Sequence, residues 1–327
     1  MSKDVQYGGQ AVIEGVMMRG KKHMAVVVRK SPDNIVIKKE KVKSTRYSIL
    51  KLPFIRGIIA LFSSLITGMK ALSFSANQIA EEEDEEITPL EMVISIIISV
   101  GVAILLFIAL PAGIISFVQP YIDNNIILNL IEGIIKITAF LTYILVISRL
   151  DDIKRVFRYH GAEHKVIHNY ESTLPLSVEN AKEFSTLHPR CGTSFLAIVI
   201  MLSIFFFSFF GRPPIFYRIL YHLLLLPVIA GTSYEIIKLA GKKNANPVIQ
   251  LLSKPGLMVQ KLTTAEPDDS MLEVAITALK EVLPEEEKQA VREEDLADME
   301  TTVVSGEKEK KQAQLPIDEK GGQKCLI

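Results

Sequence analysis

Between Glu91 and Asp123 the chain carries no charged residue, and no other feature limits its fold so strongly. A helix needs about 20 consecutive apolar residues to cross about 30 Å of hydrocarbon. Met92 to Val118 meets that requirement. Ile126 to Ser148 is a second such run, interrupted by Glu132 and Lys136. Thr193 to Phe210 and Ile215 to Tyr234 are a third and a fourth, joined at Gly211-Arg212-Pro213-Pro214. These runs predict a mainly α membrane protein with about four transmembrane helices in two hairpins, over 90–148 and 193–238, in contact with a lipid bilayer. Buried helices of a soluble protein are the alternative, and runs this long and apolar argue against them.

Charge is segregated along the chain. The formal net charge is +0, so no global basic field points to nucleic acid. Residues 1–57 are rich in Lys and Arg, whereas 81–86 is purely acidic. The segment 149–192 between the hairpins is basic, and the turn Gln119–Asn125 has no Lys or Arg. Short loops rich in Lys and Arg stay on the cytoplasmic side. The chain is therefore expected to be multi-pass, with both termini and the 149–192 loop cytoplasmic. The two cysteines are Cys191 and Cys325, too few for a disulfide framework and compatible with a reducing compartment. Residues 1–20 lack an apolar core, so no cleavable signal peptide is expected.

Outside the hairpins, residues 1–50 predict a small β-containing cytoplasmic domain. Met24–Val28 is β-branched, Ser31-Pro32-Asp33-Asn34 has turn chemistry and Ile35–Ile37 resumes a strand. The glycine-punctuated stretch from Gly8 to Gly20 fits either a ligand site or the same small β domain. Over 51–80, Ile55, Ile58, Phe62, Leu65, Met69 and Leu72 recur at spacings of three and four. That pattern is an amphipathic helix, lying in the interface or packed on other helices. The cytoplasmic segment 239–284 is expected to hold another, opened by a capping box at Ser270 and Glu273 and closed by Pro284. Residues 285–327 are expected to form a charged, disordered tail. Glu132 and Lys136 lie one helical turn apart and are expected to neutralise each other. His222 would hydrogen-bond between helices.

Four of the six histidines fall between the hairpins. Asp151 or Asp152 can cap a helix running to about Tyr170, with an apolar stripe of Ile153, Val156 and Phe157 continued by His160, His164 and Ile167. In His160-x-x-Glu163-His164 two imidazoles at i and i+4 share a face and can share a metal. The intervening Glu163 can act as a base toward water. His168 extends the series, but His160 and His168 would lie about 12 Å apart along the axis, too far for one ion. The pair is His160/His164 or His164/His168, and the first is preferred because Glu163 belongs to it. His188 and Cys191 are the candidates to complete the site, ahead of Asp151 and Asp152. Satisfied core histidines are the alternative.

The strings Gly8–Gly20, Arg158–Lys165, His188–Ser194 and Leu262–Asp269 resemble the YqhQ family of bacterial membrane proteins, a domain of unknown function (DUF1385), over nearly all of residues 5–283. The resemblance implies a bacterial cell membrane and a predicted metal-dependent enzyme, without naming a reaction. Together with the histidines it gives the expectation of a hydrolase dependent on zinc or another divalent metal. His160 and His164 would hold the metal, His188 or Cys191 would complete the site and Glu163 would be the catalytic base, whereas all four of His160, His164, His188 and Cys191 as ligands would favour a structural metal. A site at the bilayer surface suggests a lipid-linked or membrane-peptide substrate, with Gln10, Glu14, Arg19, Arg190 and Glu235 lining its approach. A non-catalytic adaptor with a structural metal, or a transporter subunit using Glu132, Lys136 and Glu235, are the rivals.

Overall fold

The computed structural model describes residues 7–42, 52, 55–82, 88–172, 174–209, 215–241, 246–285 and 287–288. The Gly211–Pro214 turn, most of the acidic run, most of the 285–327 tail and the side chain of His222 lie outside the described residues.

The chain opens with four strands, β1 (Gly8–Val12), β2 (Gly15–Arg19), β3 (His23–Ser31) and β4 (Asn34–Lys41), in an antiparallel meander of that order. The strand pair predicted around Ser31–Asn34 is β3–β4, in which Ser31 opposes Asn34 across the turn. The glycine-punctuated stretch is the other hairpin, turning at Ile13 and at Glu14, whose φ of 49° lies in the left-handed region. Both faces of the sheet are covered, which explains the unbroken apolar run in β3. Val16, Met18, Ala25 and Val27 join one buried cluster, while Met17, Met24, Val26 and Val28 join another.

Helix α1 (Ile55–Glu82) packs Ala71 and Phe74 against the second of these clusters. Its sequence over Ile55–Glu81 is long and apolar enough to cross a membrane, beyond what the sequence reading allowed it. Arg56 pairs with Glu235 near the end of α8 (Ile215–Ala240), Gln10 donates to the carbonyl of Gly68 at 3.3 Å, and Ser75 accepts from Ile13 N–H at 3.2 Å. The middle and second half of α1 are thereby held against the sheet, and its first turn against the end of α8. The outward face carries Phe62, Leu65, Ile66, Met69 and Leu72, all exposed.

The first hairpin runs through α2 (Pro89–Ile104), a π turn (Leu105–Ala109), α3 (Leu110–Val118) and α4 (Asn125–Ile147). Thr88 and Glu91 form a reciprocal capping box at its start. Asn124 caps α4 by accepting from Ile126 and Ile127 N–H. Glu132 and Lys136 form the expected ion pair at 2.9 Å. Among the described residues three helical stretches, Ile55–Glu81, Val93–Tyr121 and Asn125–Ile147, are long and apolar enough to cross a membrane; α7 (Gly192–Ser208) is apolar but shorter.

Between α4 and α7 lie α5 (Asp151–Ser172) and the short α6 (Val178–Lys182); after α8 come α9 (Pro247–Thr263) and α10 (Asp269–Val282). Helices α5 and α10 cover the first face of the sheet, burying Tyr159, Val166, Leu272 and Leu279. The expected capping box at Ser270 is not the cap. Asp268 occupies that position and accepts from Met271 N–H at 3.1 Å. Ser270 donates its hydroxyl to Asp268, and Glu273 pairs with Arg29 instead. A carboxylate two residues upstream outcompetes the hydroxyl because it accepts with full charge. Helix α9 escaped the sequence reading because Pro255 interrupts its pattern; it is nevertheless helical throughout, with Pro247 in its first turn and Asn246 accepting from Val248 N–H.

Candidate metal centre

Helix α5 places His160, His164, His168 and Glu171 on one stripe, at spacings of four, four and three. The chain then returns through Thr186–Arg190 and enters α7 at Cys191, whose thiol accepts from Thr193 N–H at the first turn. The return brings two groups of donors against the stripe. The donor atoms of His160, His164 and Cys191 lie within 4.8 Å of one another, as do those of His168, Glu171 and His188.

The first group has the polarity of a ligand set. His160 turns Nδ1 to the carbonyl of Thr263 at 2.8 Å, which leaves Nε2 facing the Cys191 thiol at 3.1 Å. His164 turns Nδ1 to the carbonyl of Thr186 at 2.5 Å. A ring N–H given to a main-chain carbonyl fixes the tautomer and leaves the other nitrogen a lone pair, as in metal-ligating histidines. Two imidazoles and a thiolate also match the softness of zinc. The two rings lie 4.4 Å apart between centroids.

Glu163 is buried behind this group. It accepts the Gly9 N–H from β1 and stands 3.4 Å from Nε2 of His164. Burial pushes its carboxyl above the ordinary range, against the lowering pull of His160, Gly9 N–H, His168 and Arg190. Gly9 permits this contact, since a Cβ there would stand 3.1 Å from Glu163 Cγ.

The second group is an ion-pair network. Arg190 pairs with Glu171, and Arg190 N–H donates to Nδ1 of His188 at 3.3 Å. Nδ1 therefore carries no proton, and the Nε2–H of His188 faces Glu171 at 3.9 Å. Glu171 is held down at about 2: burial would raise it, but His188 and Arg190 outweigh that. His188 is pushed down to about 4, chiefly by burial. An arginine bonded to the only carboxylate, and a donor on the His188 lone pair, leave little for a cation to bind.

The structure thus brings His160, His164, Cys191 and Glu163 together and places His188 beside His168. Arg190 is engaged by Glu171 and by the Gly241 carbonyl at 3.5 Å, with 14% of its side chain exposed. Gln10 and Arg19 bond to α1 through Gly68 and Ser63. Glu14 pairs with Arg155, and Glu235 with Arg56. Asp151 pairs with Lys154 at 2.7 Å. Sequence reasoning missed Glu171 and Gln260. The first was signalled by its spacing of three from His168; the second carried no signal, because it lies inside α9.

Backbone contacts hold the arrangement. Gln260 accepts from His188 N–H and donates to the His188 carbonyl, both at 2.8 Å. Ala265 N–H donates to the Phe157 carbonyl at 3.0 Å, so the segment after α9 crosses α5 at Gly161. A Cβ on Gly161 would collide with the Ala265 carbonyl oxygen and approach Thr186 Cγ2 to 3.2 Å. Gly161→Ala should therefore destabilise the fold by about 1–3 kcal/mol, the usual cost of overpacking. A lower thermal midpoint in detergent would register it; an unchanged midpoint would show that the crossing segment moves aside freely.

Three comparisons bear on identity. The family model described as "Protein of unknown function (DUF1385)" matches residues 52–285. A curated relative, "Uncharacterized protein YqhQ" of Bacillus subtilis (strain 168), is 37% identical over 293 residues, covering 85% of this chain and 92% of the relative. No solved structure matches.

Proposed function

We propose, for a chain that belongs to the DUF1385 family of proteins of unknown function, that it is a multi-pass membrane protein with a metal-dependent hydrolytic centre at its cytoplasmic face. The membrane reading is supported by Val93–Tyr121, within which an 18-residue window of mean hydropathy 3.1 has 0% of its residues buried. Apolar surface that extensive is not left to water. The observation that carries the metal reading is the shared polarity of His160 and His164. Each gives Nδ1–H to a main-chain carbonyl, and both belong to one compact donor group with Cys191. Three protein donors leave a tetrahedral ion one open position, as catalytic zinc requires.

Zinc at such a set supplies Lewis-acid polarisation of the scissile group and activation of water. This chain's own residues would do the rest. Glu163 takes the proton from the attacking water and returns it to the leaving group. The Gly9 N–H and the walls of α5 and β1 hold its carboxylate in place. The carbonyls of Thr186 and Thr263 keep the imidazoles in register. With Phe62, Leu65 and Met69 of α1 exposed as an apolar face, the substrate class that fits is lipid-linked or a membrane peptide.

A second reading, a structural metal in an adaptor, is favoured by one observation. Glu163 is 4% exposed and already accepts a main-chain N–H, as an outer hydrogen-bond partner would.

Metal analysis of the full-length protein purified in detergent tests both readings: about one zinc per chain is expected, and an ion-free protein over the neutral pH range would reduce the group to core histidines. Orientation is a separate expectation. In a Cys325→Ser background, a membrane-impermeant thiol reagent on intact cells should label Ile122→Cys and spare Leu174→Cys. Labelling at 174 from outside would remove the centre from the cytoplasmic face.

A further inference from the structure

Helix α9 holds both candidate groups from outside. Its last turn offers the Thr263 carbonyl to His160, and Gln260 clamps the main chain of His188. Its inner face rests on the first turn of α7, where Gly256 lies against Ser194. Val259 packs with Ala197 of α7 and Ile144 near the end of α4. It therefore lies where two apolar helices end.

Its outer face is amphipathic. Val248, Leu251 and Met258 are 60%, 62% and 66% exposed, and their spacings of three and seven put them on one stripe with Pro255. Lys254 and Lys261, two turns apart and both exposed, border that stripe on one side. The helix contains no acidic residue. A short helix with an apolar stripe, a bordering row of lysines and a fixed inner face has the form of one lying at a membrane surface.

We propose that α9 is an interfacial helix that seats the candidate metal centre on an anionic leaflet. Val248, Leu251 and Met258 enter the acyl-chain boundary, and Lys254 and Lys261 reach the headgroup phosphates. The proposal rests on the membrane reading above but not on the metal. The occupant is a lipid surface rather than a protein for two reasons. The helix packs on α4 and α7, the apolar helices whose own surfaces are exposed at Val146 and Leu196. The two uncompensated lysines also match an anionic leaflet, which attracts each nearby basic residue by about fivefold.

The chain contains no tryptophan, so a single introduced one reports alone. Leu251→Trp and Met258→Trp, in the full-length protein, are placed in nanodiscs of phosphatidylglycerol and phosphatidylcholine brominated near the headgroup or near the chain ends. Ile104→Trp, near the middle of Val93–Tyr121, serves as reference. Both α9 probes should be quenched more by shallow than by deep bromine, and Ile104→Trp more by deep. Adding Lys254→Glu and Lys261→Glu should lower the shallow quenching in phosphatidylglycerol toward its value in pure phosphatidylcholine. Unquenched α9 probes beside a quenched Ile104→Trp would overturn the proposal, and cross-linked dimers would then identify a second copy as what covers the stripe. Deep quenching of the α9 probes would make the helix embedded. Indifference to the lysine changes would overturn the anionic part. An unquenched Ile104→Trp would sink the membrane reading itself.

Discussion

Replacing His160, His164 or Cys191 with alanine, one at a time, is expected to empty the metal centre, while His168→Ala and His188→Ala leave the metal content near that of the unaltered protein. The loss should exceed the roughly 10–100-fold in affinity that removing an outer hydrogen-bond partner costs, because each change deletes a donor from a set of three. The two groups predict different outcomes because of their bonding. His168 gives Nε2–H to the Leu187 carbonyl at 2.9 Å, and its ring lies among His188 and Phe184. His188 has its Nδ1 lone pair occupied by Arg190 N–H. Metal content of membrane-inserted, detergent-purified variants is the measurement. If His168→Ala empties the protein and His160→Ala does not, the binding pair is His164/His168, shifted one turn along α5.

Glu163→Gln carries the second large effect. Glutamine keeps the size of the side chain and one acceptor, so the bond from Gly9 N–H can persist and the metal should remain. The base is gone. If Glu163 moves the proton in hydrolysis, turnover should fall by about 10²–10⁴-fold, and the variant should fail to complement deletion of the gene at native expression. Full complementation with metal retained would favour the adaptor. Loss of metal would make Glu163 a ligand or the partner that orients His164, its neighbour at 3.4 Å, and the catalytic role would be withdrawn.

The sequence disclosed the elements better than their partners. Long charge-free runs can do little but form apolar helices, and the β-branched run Met24–Val28 with its turn marked β3 and β4. Helix α5 was legible through the i, i+4 repeat of its histidines, because spacing along one helix is fixed by the helix itself. The division of His188 from Cys191 was not. It depends on how the non-periodic chain from 183 to 191 folds back over α5, which Gln260 and Arg190 decide from distant positions. The cap of α10 was misplaced by two residues because Ser270 fits the pattern while Asp268 binds more strongly. Helix α9 was missed because a proline within a helix reads locally as a break, yet neighbouring α4, α7 and α8 supply the packing that overrides it.

The π turn at Leu105–Ala109 has a consequence for how this hairpin varies among relatives. A π turn amounts to one residue inserted into an α-helix, and each residue added rotates everything beyond it by about 100°. Pro111 and Ile115, just past the turn, are buried, whereas no residue of the π turn itself is. The inserted residue therefore sets the phase of α3 against α4. A one-residue gap in an alignment should be concentrated within 105–109, where the helix can absorb it by reverting to regular winding. Elsewhere in α2 or α3 the same gap would swing Ile115 away from its packing. The hairpin is thus expected to tolerate a change of one residue in length at this one point along it.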